Sequence, residues 1–317
     1  MTRRRLVCSL VLASSSMLAS SASAQAFLPP RGEGTISFLL QDTLVDRHLL
    51  GDGSRIDAGQ ARTDGVLLDL TYGITDTTAV SLTLPYLAAK YVGSNPHPGS
   101  LIDDGRYHGG VQDLRFELRQ NVMKGPLAIT PFIGTILPSH DYPFYGHAAT
   151  GRDLKELQVG ASIARVLDPV LPGTFVQARY AYGFTERLLD VSHNRSMMDF
   201  EIGHFINPRF RAFGLMTGQI SHGGVDLLGR FPFGLPPAQI THHDQISRTN
   251  FLEAGGGAQF TVGPSIDLFG SIVHTLSGVN AHALTYGLNL GVAWSFRAGP
   301  SARRASARTL YKCLCEK

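Results

Sequence analysis

The stretch 286–296 reads Y-G-L-N-L-G-V-A-W-S-F and alternates without a fault. Tyr286, Leu288, Leu290, Val292, Trp294 and Phe296 share one face, and Gly287, Asn289, Gly291, Ala293 and Ser295 the other, because successive strand side chains point to opposite sides. The same period recurs in windows of about ten residues, the length of a tilted membrane strand. It predicts strands near 35–43, 66–74, 80–86, 113–119, 127–137, 156–163, 176–184, 198–206, 210–220, 252–262 and 266–275, which with 286–296 make twelve. The sharpest is 113–119, where Leu114, Phe116 and Leu118 alternate with Asp113, Arg115, Glu117 and Arg119; the poorest is 210–220, whose phase is undefined.

A strand apolar on one side and small or polar on the other suits a wall between lipid and a lumen, although a secreted β-sandwich could use it too. The connections separate the two. Those near Thr75, Lys124, Asn207 and Gly263 are short, and that near Pro169 is a little longer. The opposite set, 45–64, 93–110, 138–154, 186–195, 222–250 and 277–283, is long. Outer-membrane barrels sort their loops in this way, with short periplasmic turns and long extracellular loops, and an even strand count puts both termini on one side. The expected fold is therefore all-β, a transmembrane antiparallel β-barrel of about twelve strands.

The start of the chain agrees on the compartment. Residues 1–26 carry a basic n-region (Arg3, Arg4, Arg5), an apolar stretch from Leu6 to Leu18 and a small-residue end, Ala22-Ser23-Ala24-Gln25-Ala26, the plan of a cleaved secretory signal. The expected domains are a signal peptide at 1–26, an outer-membrane barrel at 27–296 and a basic periplasmic tail at 297–317. Composition fits, with 43% hydrophobic residues, 17% charged and 35 glycines. No later apolar run approaches the ~18 residues of a membrane helix, which leaves the closed barrel as the membrane option. The net charge of +3 gives no reason to expect nucleic acid as a partner.

Twelve strands predict a narrow lumen, between the side-chain-filled barrel of about eight and the water channel of about sixteen. Asp69, Asp113, Arg115, Glu117, Arg119, Glu156, Arg179, Asp199, Glu201 and Glu253 are expected to face it, and because both signs are present the wall can pair with itself. Loop 222–250, rich in Phe, Pro and Gly, is expected to act as a lid or constriction through Phe231, Phe233, Leu235 and Pro236. Ten of the twelve histidines fall in the predicted long loops, among them His48, His97, His147, His193, His222 and His282. Either this is ordinary loop polarity, or the outer surface captures a metal ion, with His242-His243-Asp244 the densest candidate set and His140-Asp141 the next. Cys313 and Cys315, in the tail, are a second candidate pair of metal ligands, or incidental. Catalysis has weak support: Ser192-His193 and Ser221-His222 put hydroxyl beside imidazole, but triads are defined by geometry across a fold.

Four segments and the final strand carry a resemblance. Leu70-Thr71-Tyr72-Gly73-Ile74-Thr75-Asp76 followed by Ser81-Leu82-Thr83-Leu84-Pro85-Tyr86, then Gly110-Val111-Gln112-Asp113-Leu114, then Pro138-Ser139-His140-Asp141-Tyr142, resemble the outer-membrane transporter family named after the phenol meta-cleavage pathway. The resemblance implies a porin-like barrel for passive uptake of a small, aromatic or otherwise hydrophobic solute, and it carries over no catalytic or ligand residue; no enzyme activity and no cofactor are expected. The implied partners are outer-membrane lipid, the solute and the barrel assembly machinery, whose recognition signature a terminal Phe296 matches. Two other functions stay open: a non-conducting barrel that binds metal or a partner through its histidine-rich loops, and a lipid-modifying hydrolase.

Overall fold

The computed structural model describes residues 26–57, 59–93, 97–229 and 231–298. The predicted signal peptide at 1–26, save Ala26, and the tail with Cys313 and Cys315 lie outside them. Fourteen strands form one antiparallel sheet: β1 (Glu33–Leu49), β2 (Arg55–Ile56), β3 (Gln60–Gly73), β4 (Thr78–Val92), β5 (His108–Val111), β6 (Leu114–Gln120), β7 (Leu127–Leu137), β8 (Glu156–Val166), β9 (Thr174–Thr185), β10 (His193–Asn207), β11 (Phe210–Gly223), β12 (Asn250–Gly263), β13 (Ile266–Val279) and β14 (Ala281–Arg297). The short β2 lies in a loop, and β5 and β6 are two pieces of one wall strand against β4, so twelve staves form the wall. Each pairs with its neighbours in sequence, and β14 returns to β1, with Glu33 opposite Arg297 and His48 opposite His282. Closure removes every free edge, which a sheet in hydrocarbon requires.

Alternation decides which side meets lipid. Most exposed large side chains on the staves are apolar, from Phe38 and Leu40 on β1 through Phe116, Ile133, Tyr180 and Phe200 to Ile272, Leu290 and Trp294. An apolar surface of that extent, far beyond the few hundred Å² a soluble monomer shows, is matched to a bilayer. The unclear phase of 210–220 has a physical cause: on β11 the inward Phe213 and Leu215 pack in a cluster with Val45, Val273 and Leu284, so both faces are apolar and the contrast is lost.

The break between β5 and β6 follows from Pro85. Thr83 pairs with Arg115 but Tyr86 with Val111, a slip of one residue opposite a proline that has no N–H to donate. The Pro85 carbonyl accepts from the Gln112 amide at 2.8 Å and keeps the wall connected.

Both ends are obstructed. At the short-turn end the chain ahead of β1 crosses the opening, a distance seven extended residues can reach at about 25 Å. The Ala26 carbonyl accepts from Thr130 Oγ1 (2.7 Å) and Asn121 Nδ2 (3.3 Å), and Ala26 packs on Ala128 and Ala164 of β7 and β8. At the other end the described residues of loops 93–107, 138–155 and 224–249 fold inward and bury Ile102, Tyr142, Ala148, Leu154, Leu227, Phe233 and Ile246.

One predicted long loop is absent: β13 and β14 are joined through Asn280 alone, so 277–283 is a tight turn. Asn280 takes the left-handed conformation (φ 48°) that Asn tolerates, and its side chain binds the base of the neighbouring loop, accepting from the Leu227 amide at 2.8 Å and donating to Asp226 at 2.9 Å. The strands also run further toward the loop end than the alternation marked. His48, His108, His193, His222 and His282, expected in loops, stand instead on strand ends at the rim.

Candidate functional site: a two-faced lumen under a histidine-lined cap

The ten charged residues expected on the lumen wall point inward, where Glu117, Arg119, Arg179 and Asp199 pair among themselves and the others meet further partners. Glu117 binds Arg179 at 2.7 Å and Arg119 at 3.5 Å, and Arg179 also lies 4.0 Å from Asp199 and covers the Phe132 ring at 3.7 Å. Glu156 binds Arg195 at 2.7 Å and Glu201 binds Arg211 at 3.1 Å. Asp113 accepts from the Tyr142 hydroxyl, which in turn accepts from the Asp153 amide at 2.8 Å. Arg115 lines a polar cavity with Gln41, Gln112, Asp113, Glu156 and Arg195. Asp69 and Glu253 are held by hydroxyls instead, Thr83 at 2.5 Å and Thr275 at 3.1 Å.

The inner wall is two-faced, a property the alternation did not reveal. Its charged residues are densest on the arc from β6 to β10, with Asp69 on β3, Arg211 on β11, Glu253 on β12 and Asp267 on β13 standing singly elsewhere. The facing arc, β11 through β14 and on to β4, turns Leu39, Leu67, Leu87, Phe269 and Ala293 inward as one apolar cluster and Val45, Phe213, Leu215, Val273 and Leu284 as another.

Above this lumen sits the cap. Of the four residues expected to form its apolar part, Phe233 is buried with Leu50 and Leu227, Leu235 packs beside them, and Phe231 stands edge-on to Phe233 with centroids 5.5 Å apart. Pro236 precedes the helical turn Pro237–Ile240. Phe231 and Phe233 rest against imidazoles: Phe231 lies 5.7 Å from His97, and Phe233 5.2 Å from His243.

Those imidazoles belong to a buried group that sequence spacing concealed. His48 of β1, His97, His147, His243 and His282 of β14 are each under a tenth exposed. Ring centroids are 3.8 Å apart for His48 and His282, 5.1 Å for His48 and His147, 4.1 Å for His97 and His147, and 5.0 Å for His97 and His243. One carboxylate organises two of them: Asp103 Oδ2 takes His97 Nδ1 at 3.1 Å and His147 Nδ1 at 3.2 Å, while Oδ1 accepts from the Ala148 amide at 2.9 Å. Burial opposes the charge on Asp103, but the His147 and His97 hydrogen bonds outweigh it and hold the carboxyl well below the usual carboxylate range. Burial lowers the His147 pKa despite that partner. Burial likewise raises Asp244, but the charges of His243, His282 and other histidines more than offset it and lower its pKa.

Of the expected metal ligands His242, His243 and Asp244, only the last two join this group. His242 turns away to stack on Phe144 at 5.1 Å and bind Gln245 at 2.6 Å, because neighbouring residues of the turn His243–Ile246 project in different directions. His140, also expected as a candidate, binds Ser139 at the exposed rim.

The serine and histidine pairs adjacent in sequence separate as alternation requires. Ser221 turns inward to the Thr249 carbonyl at 2.8 Å, and His222 turns outward. Its Nε2 instead meets Ser196 Oγ of β10 at 2.7 Å, beside Tyr180 at 2.9 Å. No carboxylate or amide orients His222 among the described residues, so the pair lacks the third member that a nucleophilic triad requires.

No family model and no curated protein matches the chain. Solved structures do. The COG4313 outer membrane channel from Pseudomonas putida F1 superposes with a TM-score of 0.67 at 12% identity, covering 86% of this chain and 99% of that one. The translocator domain of the autotransporter NalP from Neisseria meningitidis gives 0.53 at 13% identity, covering 92% and 99%. Sheet closure, apolar exterior and these likenesses agree on one architecture: the chain is a closed, twelve-stranded antiparallel β-barrel of the outer-membrane kind.

Proposed function

We propose that the barrel is a channel for passive uptake of a small solute with an aromatic or aliphatic body and a polar or acidic head. The observation that carries this is the two-faced inner wall, in which an apolar arc of Leu39, Leu67, Leu87 and Phe269 faces the Arg115, Arg179 and Arg195 arc. A general water-filled pore gains nothing from inward leucines, whereas a solute with an apolar body recovers about 25 cal/mol for each Å² it buries there. The cap and the segment at 26–32 are then movable obstructions on one path. The COG4313 relative in shape is itself an outer membrane channel, which is compatible with this reading.

Planar-bilayer conductance tests it. The intact barrel is expected to pass small currents, rising several-fold when residues 226–246 are removed, and benzoate is expected to block that current where acetate does not. A barrel that stays sealed after removal of both the cap and residues 27–31 would refute a channel. Equal effects of benzoate and acetate would refute the aromatic preference.

A further inference from the structure

The cap contains a set of nitrogen and oxygen ligands that its own hydrogen bonds orient. His97 and His243 bring their Nε2 atoms within 3.2 Å of each other. The opposite nitrogen of each ring is committed: His97 Nδ1 faces the Asp103 carboxylate at 3.1 Å, and His243 Nδ1 donates to the Ile240 carbonyl at 2.6 Å. A neutral imidazole that donates from Nδ1 presents a bare lone pair at Nε2. Two lone pairs thus point at each other in a buried place, an arrangement that repels unless a cation lies between them.

The distances fit such an ion. Two nitrogens each about 2.05 Å from a tetrahedral centre are about 3.3 Å apart, close to the 3.2 Å found. Asp244 Oδ1 lies 3.5 Å from His243 Nε2, and the three ligand atoms of His97, His243 and Asp244 fall within 4.8 Å of one another. Asp103 behind His97 has the place of the carboxylate that orients a metal-bound histidine. A second observation points the same way. His48, 8% exposed, stacks on His147 in this group, and neither of its ring nitrogens has a hydrogen-bond partner.

We infer that His97, His243 and Asp244 bind one divalent first-row transition-metal ion, and that the ion straps loop 93–107 to the 224–249 cap, closing the mouth of the barrel. Neutral imidazole with a single carboxylate suits zinc, copper or nickel rather than calcium or magnesium, which prefer oxygen alone. Three protein ligands leave a fourth position open. The site is independent of the channel reading, since an ion can pin the cap whether or not the lumen conducts.

The test uses tag-free, refolded full-length mature barrel, with heat-modifiable migration on gels confirming that each variant is folded. Zinc content after equilibrium dialysis against micromolar zinc is expected to reach one ion per chain. H97A and H243A are expected to reduce it to below a tenth, Asp103→Asn to weaken binding about tenfold or more, and His140→Ala, at the exposed rim, to change nothing. Subtilisin cleavage within 224–249 is expected to slow at least tenfold when zinc is added, and to show no such effect in H243A. Absence of stoichiometric zinc, or zinc content in H97A and H243A equal to that of the unsubstituted barrel, overturns the site, the close nitrogens then sharing a proton. Stoichiometric zinc without loop protection overturns the strap. Neither readout involves conductance, so a sealed barrel that binds zinc would refute the channel and leave the site standing.

Discussion

Glu156→Ala is expected to destabilise the barrel by about 3–5 kcal/mol, the cost of stripping one partner from a buried ion pair. Glu156 and Arg195 are almost fully inaccessible (side chains 2% and 3% exposed), and Glu156 also accepts from Gln158 at 2.7 Å and Thr185 at 3.1 Å. Removing the carboxylate leaves two arginines, Arg195 and Arg152, turned toward a gap on the inner wall. The exposed Arg248–Asp226 pair is the internal comparison, and Asp226→Ala should cost at most about 1 kcal/mol. Denaturant titration of protein refolded into lipid vesicles measures both. The comparison also reports on the lumen: a wall bathed in water would screen Glu156 as it screens Asp226, so equal costs would contradict a packed interior.

Ile272→Arg should cost about 2–4 kcal/mol in the same titration, because Ile272 lies at the middle of β13 on the face exposed to lipid. The same substitution at Leu276, further along that face toward the rim, should cost less, since the penalty falls toward the interface. A β-sandwich in water would tolerate arginine at both exposed sites within about 0.5 kcal/mol. A flat response would therefore remove the membrane from the description, while a depth-dependent one fixes where the hydrocarbon lies on the wall.

The histidines show why some of the site could be read early and the rest could not. His243 and Asp244 stand out because they are adjacent in a loop, and both belong to the cap cluster. Their partner His97 lies 146 residues away, in a loop whose sequence has no period to register it against anything. His48 and His282 look like loop residues until β1 and β14 are seen to extend to the rim and place them opposite each other. The two-faced lumen is not legible in the sequence for a related reason. Leu39, Leu67 and Phe269 interrupt the expected polar side of their strands only singly, and it is closure of the barrel that gathers them onto one arc.

The sequence by itself determined the class of fold, the number of staves and which side chains meet lipid, because all three follow from a period of two that each strand enforces on its own backbone. Ile272 outward and Ser271 inward is a local fact. The tertiary structure alone decided what fills the barrel: which charges pair across the lumen, how the cap folds inward, and that His97 meets His243. Those contacts join residues far apart in the chain through loops of no regular geometry, and their free energy comes from burying groups that only the closed wall brings together.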